Sequence, residues 1–354
     1  MSTAIANRPA LSGIDPVAST FIAPEPATRP PDFLGYVPCP IRTELRRRLA
    51  RAFRYAAPEP VWHIAPRSGD PDPYDDLWRH GDANTLPGLI TEVGFGNFLR
   101  PAFASRWLDT GFYEAPARSA AGAQADVATI RPEFREAGLV DPRGIFQVYA
   151  AFPCVILADP EKLRGRPLPA TWADLLHPRY RGDVILHGSD DTVHEIVLFN
   201  LWRDHGEAGL AALAANVRDF WSPARIVATA GAGDPSGAAL YVLPLAFARD
   251  GARPDNTVLV WPAEGAWCMP MYLFARRDRR LPVRYVLDFF AAPEWSYFLA
   301  HAGFPPAVAP AHPAPPLLGK LRWPGWEFVR TRNLEALRAP LQAAFRRGRS
   351  RKER

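Results

Sequence analysis

The clearest hydrophobic pattern in the chain lies between residues 171 and 215, where its period changes from helix to strand and back to helix. Trp172 and Leu175 share one face of a short helix, and Pro178 ends it because the residue before a proline is driven out of the α-helical region. Three consecutive apolar residues at 184–186 then predict a short buried strand. Strands that feed helices in this way are typical of an α/β fold.

A longer helix is predicted directly after this strand. Its apolar positions recur at helical spacing, at Val193, Ile196, Val197 and Leu201. Gly188, Ser189 and Asp190 precede it, and a Ser or Asp side chain at that point is expected to cap the helix. Since a helix N-terminus leaves backbone N–H groups unpaired, we expect a small ligand to meet the chain at this junction.

The same patterns predict further elements along the chain. Strands are expected at 33–37, 61–64, 89–93, 144–150 and 257–261, and a helix at 282–290. Pro40 suits the first turn of another helix. That helix carries one apolar stripe, formed by Ile41, Leu45, Leu49, Ala52 and Phe53.

Composition and charge narrow the class of protein. With 354 residues, 48% of them hydrophobic, the chain is long enough for two domains or lobes. Its 42 Lys and Arg against 37 Asp and Glu give a net charge of +5, and much of the excess lies at 46–54 and 346–354. No aromatic residue interleaves with the second run, so we expect no nucleic-acid binding.

The first 32 residues predict a flexible leader rather than a secretory signal, because polar residues and prolines interrupt every apolar run. No stretch of about 18 apolar residues occurs elsewhere, so we expect no membrane insertion. Cys39, Cys154 and Cys268 are odd in number and far apart, which indicates neither a disulfide framework nor a zinc site. Together these features predict a cytoplasmic protein.

One segment carries a family resemblance. Residues 169–182 follow the pattern Pro-x-Thr-Trp-x-Asp-Leu-Leu-x-Pro-x-Tyr-x-Gly. This pattern resembles the second lobe of bacterial extracellular solute-binding proteins of ABC importers, in the ferric-iron, polyamine and thiamine group. The resemblance continues through 261–265, 286–290 and 301–305. A Pro-Cys-Pro turn at 38–40 resembles one subgroup of these proteins.

The resemblance implies a type II periplasmic-binding-protein-like α/β fold, with two lobes, a hinge and an interlobe cleft. Lobe 1 would comprise 33–140 and return at 262–340 with the C-terminal helices, lobe 2 would comprise 141–261, and 341–354 would form a basic tail. The strand at 257–261 would make the return crossing. The implied function is binding of a small polar or anionic ligand for an ABC transporter permease. Because a secretory signal is not found, a cytoplasmic metabolite or metal carrier or sensor is the alternative.

Ligand contacts are expected from loops that face this cleft and from residues beside the hinge. Helix N-termini favour anionic or polar groups, and aromatic side chains supply apolar walls. For the aromatic residues the alternative is core packing, and for Ser189 and Asp190 it is simple capping. The expected ligand-binding residues are Cys39, Arg42, Thr43, Gly94, Phe95, Asn97, Tyr149, Ser189, Asp190, Tyr241, Glu264 and Trp267.

Metal binding is not favoured by the sequence. Ferric-binding relatives use two adjacent tyrosines, whereas Tyr241 is followed by Val242, so the pair is incomplete. An alternative group, without a third ligand at clear spacing, is formed by His187, Asp190, Asp191 and His194.

Enzyme signatures are also scarce. The sequence has no Gly-rich phosphate loop, no H-E-x-x-H and no G-x-S-x-G, so we expect neither a cofactor nor a catalytic residue. Cys39 leaves one alternative open, an enzyme on the same fold. A cysteine held between two prolines at the start of a helix is expected to be more reactive than an average thiol.

Overall fold

The fold is described from a computed structural model, which covers residues 30–54, 56, 58–65, 72–79, 82–116, 129–189, 192–251, 253–278 and 280–350. The strands are β1 (Phe33–Gly35), β2 (Trp62–Ile64), β3 (Leu89–Val93), β4 (Tyr113–Glu114), β5 (Gln147–Ala158), β6 (Val184–Ser189), β7 (Thr192–Val193), β8 (Val217–Trp221), β9 (Leu240–Pro244), β10 (Val258–Val260), β11 (Ala266–Arg276) and β12 (Leu321–Arg322). The helices are α1 (Cys39–Phe53), α2 (Pro101–Phe103), α3 (Pro132–Glu136), α4 (Pro160–Leu163), α5 (Glu195–Asn216), α6 (Pro223–Thr229), α7 (Leu245–Gly251), α8 (Arg280–Ala291), α9 (Pro293–His301), α10 (Trp326–Thr331) and α11 (Leu334–Ser350).

The described strands form one mixed sheet. Its main path is β2-β1-β3-β11-β5-β9-β6-β7, with β4 and β12 paired to β11, β10 to β5 and β8 to β6. β1, β2 and β3 run parallel to one another, and β6 runs parallel to both β8 and β9. The sheet therefore contains two parallel groups, and the carboxyl ends of such strands are where ligands bind in open α/β sheets.

Two long strands join the parallel groups. β5 pairs with β9 through residues 154–158, β11 pairs with β3 through residues 271–275, and β5 and β11 pair with each other. The sequence predicted that the strand at 257–261 would make the return crossing, and this prediction is wrong. β10 forms there but pairs with β5, and β11 makes the return after a turn in which Gly265 donates its N–H to Pro262. A local apolar run cannot reveal which partner a strand will take.

The predicted helix α1 is confirmed, with Ile41, Leu45, Leu49 and Phe53 buried, although Ala52 is exposed. The predicted cap of α5 is wrong. β6 continues to Ser189 and pairs with β7, so the helix begins only at Glu195. His194 is the cap, because its Nδ1 accepts the N–H of Ile196 at 3.3 Å. Asp190 lies outside the described residues, as does the side chain of Ser189.

Both faces of the sheet are buried. Alternate residues of β5 enter different apolar clusters: Cys154 and Ile156 join the large core, whereas Val155 and Leu157 join a smaller one on the other face. Cys154 and Cys268 are fully buried. None of the helices in the described ranges is long and apolar enough to cross a membrane.

Candidate functional site

The loop after β3 is built around the buried carboxyl group of Glu92. Its Oε1 accepts the N–H of Asn97 at 2.9 Å, and the Tyr272 hydroxyl donates to its Oε2 at 3.3 Å. Gly96 leaves room for this carboxyl group, since a Cβ at that position would lie 1.7 Å from Glu92 Oε1. Burial raises the pKa of Glu92 to about 7, although the backbone N–H bonds oppose the shift. The Gly-Phe-Gly-Asn sequence thus has a structural reason.

Phe95 lies at the tip of this loop and is buried. Its ring contacts Phe199 of α5 edge-on at a centroid distance of 4.9 Å and stacks on Trp323 at 5.9 Å. Its carbonyl oxygen accepts a hydrogen bond from Arg338 at 3.3 Å. The loop that was predicted to line a cleft therefore packs on elements from distant parts of the chain.

The C-terminal helix α11 bridges this loop region and the start of α5. Arg338 forms an ion pair with Glu195, and Gln342 exchanges two hydrogen bonds with the backbone of Val193. Nearer its start, Glu335 pairs with Arg100 at 2.6 Å. Residues 341–350, expected to belong to a basic tail, instead continue α11, with Leu341 and Phe345 buried.

A second polar cluster lies at the carboxyl ends of β1 and β2. The Tyr36 hydroxyl donates to Asp72 at 3.1 Å, and the other Asp72 oxygen lies 3.3 Å from His63 Nε2. Burial raises the pKa of Tyr36 well above its usual range. The sequence reasoning missed this cluster, although Tyr36 and His63 both fall within predicted strands.

The predicted residues of the first loop lie at the start of α1. Cys39 is its first residue and is exposed, Thr43 is exposed, and Arg42 is partly buried. The Arg42 guanidinium donates to the carbonyl oxygen of Val37 at 3.4 Å.

Two predicted aromatic residues are buried in cores. The Tyr149 hydroxyl accepts a hydrogen bond from Thr91 at 3.2 Å, and its ring packs edge-on against Phe290. The Tyr241 hydroxyl accepts the N–H of Ala238 at 2.9 Å, and burial raises its pKa to about 12. These positions match the core-packing alternative, and their role toward a ligand stays a prediction.

Glu264 and Trp267 both hold Trp172. Glu264 Oε1 accepts the backbone N–H of Trp172 at 2.7 Å, and the Trp172 indole N–H donates to the carbonyl oxygen of Gly265 at 2.9 Å. The two indole rings stack at 3.8 Å. The tryptophan of the family pattern is therefore fixed by residues that were predicted beside the hinge.

His187 and His194 lie side by side, with ring centroids 4.5 Å apart. Burial lowers both pKa values, that of His194 to about 4 and that of His187 well below its usual range. Both rings are therefore neutral near pH 7. Asp190 and Asp191, proposed with them as metal ligands, lie outside the described residues. Among the residues that are described, no group of three or more His, Cys, Asp and Glu side chains could hold a metal ion.

A groove with a volume of about 400 Å³ lies beside Trp323. One wall comes from α3, which precedes β5 in the chain. The other walls come from α5, from the turn before β11 and from the segment around β12, and these three elements follow β5. Of the predicted ligand-binding residues Glu264 lines it, and Phe95 stacks on its Trp323 wall. The lining residues are Glu133, Glu136, Ala137, Arg203, Glu264, Lys320, Leu321, Arg322 and Trp323.

Comparison with known proteins places the chain in a family. Residues 84–332 match the bacterial extracellular solute-binding proteins, and the chain belongs to this family. No curated protein matches the sequence. The family resemblance drawn from the tryptophan pattern is confirmed, whereas the Pro-Cys-Pro subgroup stays a prediction.

Solved structures agree on the fold. The periplasmic binding protein P5PA is 15% identical with a TM-score of 0.59, over 90% of this chain and 99% of that one. An ABC transporter protein of Clostridium perfringens is 14% identical with a TM-score of 0.60, over 89% and 98%. The apo ferric ion-binding protein A of Pasteurella haemolytica is 12% identical with a TM-score of 0.58, over 89% and 95%. The predicted type II periplasmic-binding-protein-like fold is confirmed.

Proposed function

We propose that this chain is the solute-binding component of an ABC importer and holds a small polar solute reversibly in the groove beside Trp323. One observation carries the proposal: the walls of the groove come from chain segments on both sides of β5. β5 and β11 join the two parallel strand groups. With lobe boundaries near residues 140 and 262, Arg203 comes from one lobe and the other eight lining residues from the other, so a bend in these strands would move Arg203 relative to the rest of the groove. Opening and closing of this kind is hinge motion around a ligand.

The division into lobes at about residues 140 and 262 is part of this proposal. So are the roles of the predicted residues. Glu264 would contact the solute directly, and Phe95 would position Trp323. A ligand-binding role of the loop with Gly94 and Asn97 and of the start of α1 with Cys39 stays a prediction.

Binding without chemical conversion fits a family of solute-binding proteins. Neither a carrier role in the cytoplasm nor catalysis by Cys39 gains support from that match. The family is described as extracellular, which leans against the cytoplasmic location expected from residues 1–32. Detection of the protein in periplasmic or cytoplasmic fractions, with a cytoplasmic enzyme as marker, would decide between the two.

The binding role is tested with the purified protein and a library of small metabolites, read out as thermal stabilisation. We expect at least one solute to raise the Tm and to be recovered unchanged. Trp323→Ala should weaken its binding in calorimetry, whereas Trp78→Ala, which alters a partly buried tryptophan outside the groove lining, should not. The proposal fails if no compound stabilises the protein or if the stabilising compound is consumed.

A further inference from the structure

We infer that the groove recognises a zwitterion, a solute with an ammonium group and an anionic group at separate ends. The inference rests on the proposed function and adds the class of solute. Six of the nine lining residues are ionisable, three of them carboxylates and three of them cations. A groove of mixed charge favours a ligand of mixed charge, because complementary potentials decide specificity.

Two arginines of the lining, which share one carboxylate, would bind the anionic group. Arg203 and Arg322 both pair with Asp204, at 2.7 Å and 2.9 Å. Arg203 also donates to the carbonyl oxygen of Trp323 at 2.7 Å, so its orientation is fixed. One carboxylate for two guanidinium groups leaves a net positive charge. The two arginine side chains are 23% and 34% exposed, which leaves donors accessible to a carboxylate or sulfonate.

Two glutamates of the lining would bind the ammonium group. Glu133 is paired with Arg131 at 3.2 Å, but Glu136 and Glu264 form no ion pair within the described part of the chain. Glu264 has one oxygen fixed by the Trp172 N–H, while Oε2 is buried without a hydrogen-bond partner among the described residues. A buried carboxylate oxygen without a hydrogen-bond partner costs folding free energy, and a hydrogen-bond donor from a solute would satisfy it.

The size of the groove suits such a molecule. A volume of about 400 Å³ lies at the lower end of ligand sites, and it is adequate for a molecule of amino-acid size. A solute with only one charge would pair with one wall and leave the other wall unpaired at the cost of its desolvation. We therefore expect the groove to select against simple amines and simple acids.

Calorimetric titration of the full chain with a series of probes tests this inference. The zwitterions are glycine, β-alanine, 4-aminobutyrate and taurine, and the matched single charges are butylamine and butyrate. We expect at least one zwitterion to bind at least about tenfold more tightly than either single-charge compound, which corresponds to about 1.4 kcal/mol. Equal affinity for zwitterions and single charges would overturn the inference.

Two variants test which lining residues bind each charged group of the solute. Arg322→Gln and Glu264→Gln should each weaken zwitterion binding about tenfold or more, and Arg322→Gln should leave butylamine binding unchanged. Glu327→Gln and Arg332→Gln, exposed charges that do not line the groove, serve as matched controls. If a solute binds and neither groove variant affects it, the inference is wrong while the proposed function stands. If none of these probes binds while a solute from the metabolite library stabilises the protein, the inference is wrong and the proposed function stands.

Discussion

Trp172 and Trp267 lie face to face, with ring centroids 3.8 Å apart and ring planes 4° apart. Both are almost fully buried. Trp172 belongs to the pattern that carries the family resemblance, and Trp267 was predicted as an apolar wall of the ligand site. Their stacking fixes the segment before β6 to β11, the strand that also pairs with β3 of the first parallel group.

We expect Trp267→Ala to lower the free energy of unfolding by about 3–5 kcal/mol, because it removes the stack and leaves a cavity beside Trp172. Urea denaturation followed by circular dichroism measures the change. Trp202→Ala, at a partly buried position, should lower the free energy of unfolding clearly less. Unchanged stability together with lost solute affinity would instead make Trp267 the ligand contact that the sequence suggested.

Glu92 should make the stability depend on pH. Its folded pKa of about 7 lies above the ordinary value of 4.5, so between these values the folded protein keeps a proton that the unfolded chain releases. The contribution of Glu92 to the folding free energy is therefore fully present below about pH 4.5 and is lost as the pH rises through about 7. The loss amounts to up to about 3 kcal/mol.

The variant Glu92→Gln removes this titration, so its stability relative to the natural protein should rise from pH 5 to pH 8. Urea denaturation at pH 5, 6, 7 and 8 measures the difference. Glu294→Gln, at an exposed carboxylate, is the control and should give a nearly constant difference. Parallel pH profiles for Glu92→Gln and the natural protein would contradict the assignment.

The contact of α11 with α5 should depend on the pair Arg338–Glu195. Burial raises the pKa of Glu195, and Arg338 opposes that shift, so removal of Arg338 leaves a desolvated carboxylate. We expect Arg338→Ala to cost about 1–3 kcal/mol of folding free energy. In a Glu195→Gln background the same change should cost less, and a double-mutant cycle gives the coupling.

A control for this cycle lies on the same helix. Arg347 and Glu207 are 3.8 Å apart and mostly exposed, so Arg347→Ala should change the stability by less than about 1 kcal/mol. Equal costs for Arg338→Ala and Arg347→Ala would show that the first pair adds nothing beyond a surface contact.

Cys39 should be the first cysteine to react with a thiol reagent in the native protein. It is exposed, whereas Cys154 and Cys268 are fully buried and burial raises the pKa of both thiols. Exposure alone explains this order, so the helix start needs its own control.

That control is Ala52→Cys in a Cys39→Ser background, which places an exposed thiol near the other end of α1. We expect Cys39 to react several-fold faster than this cysteine, because a helix N-terminus stabilises a thiolate. Protection of Cys39 by a bound solute would support its predicted role as a ligand contact. Equal rates and no protection would reduce it to a residue that fits the turn.

The hydrophobic pattern was sufficient for elements whose burial is decided by nearby residues. The strand at 89–93 was predicted with the bounds that β3 has, and the stripe from Ile41 to Phe53 was predicted with one error at Ala52. The period of apolar positions is a local property, so it can be read without knowledge of the fold. The tryptophan pattern added the family and the fold class.

Tertiary structure alone decided the features that depend on residues far apart in sequence. His194 caps α5 because β6 and β7 pair, and β11 pairs with both β3 and β5. Glu92 is buried because Tyr272 and the 94–97 loop surround it. The groove joins α3 to side chains about 70 to 190 positions later in the chain. No period in the sequence records such contacts, because each depends on how whole elements pack and not on their neighbours along the chain.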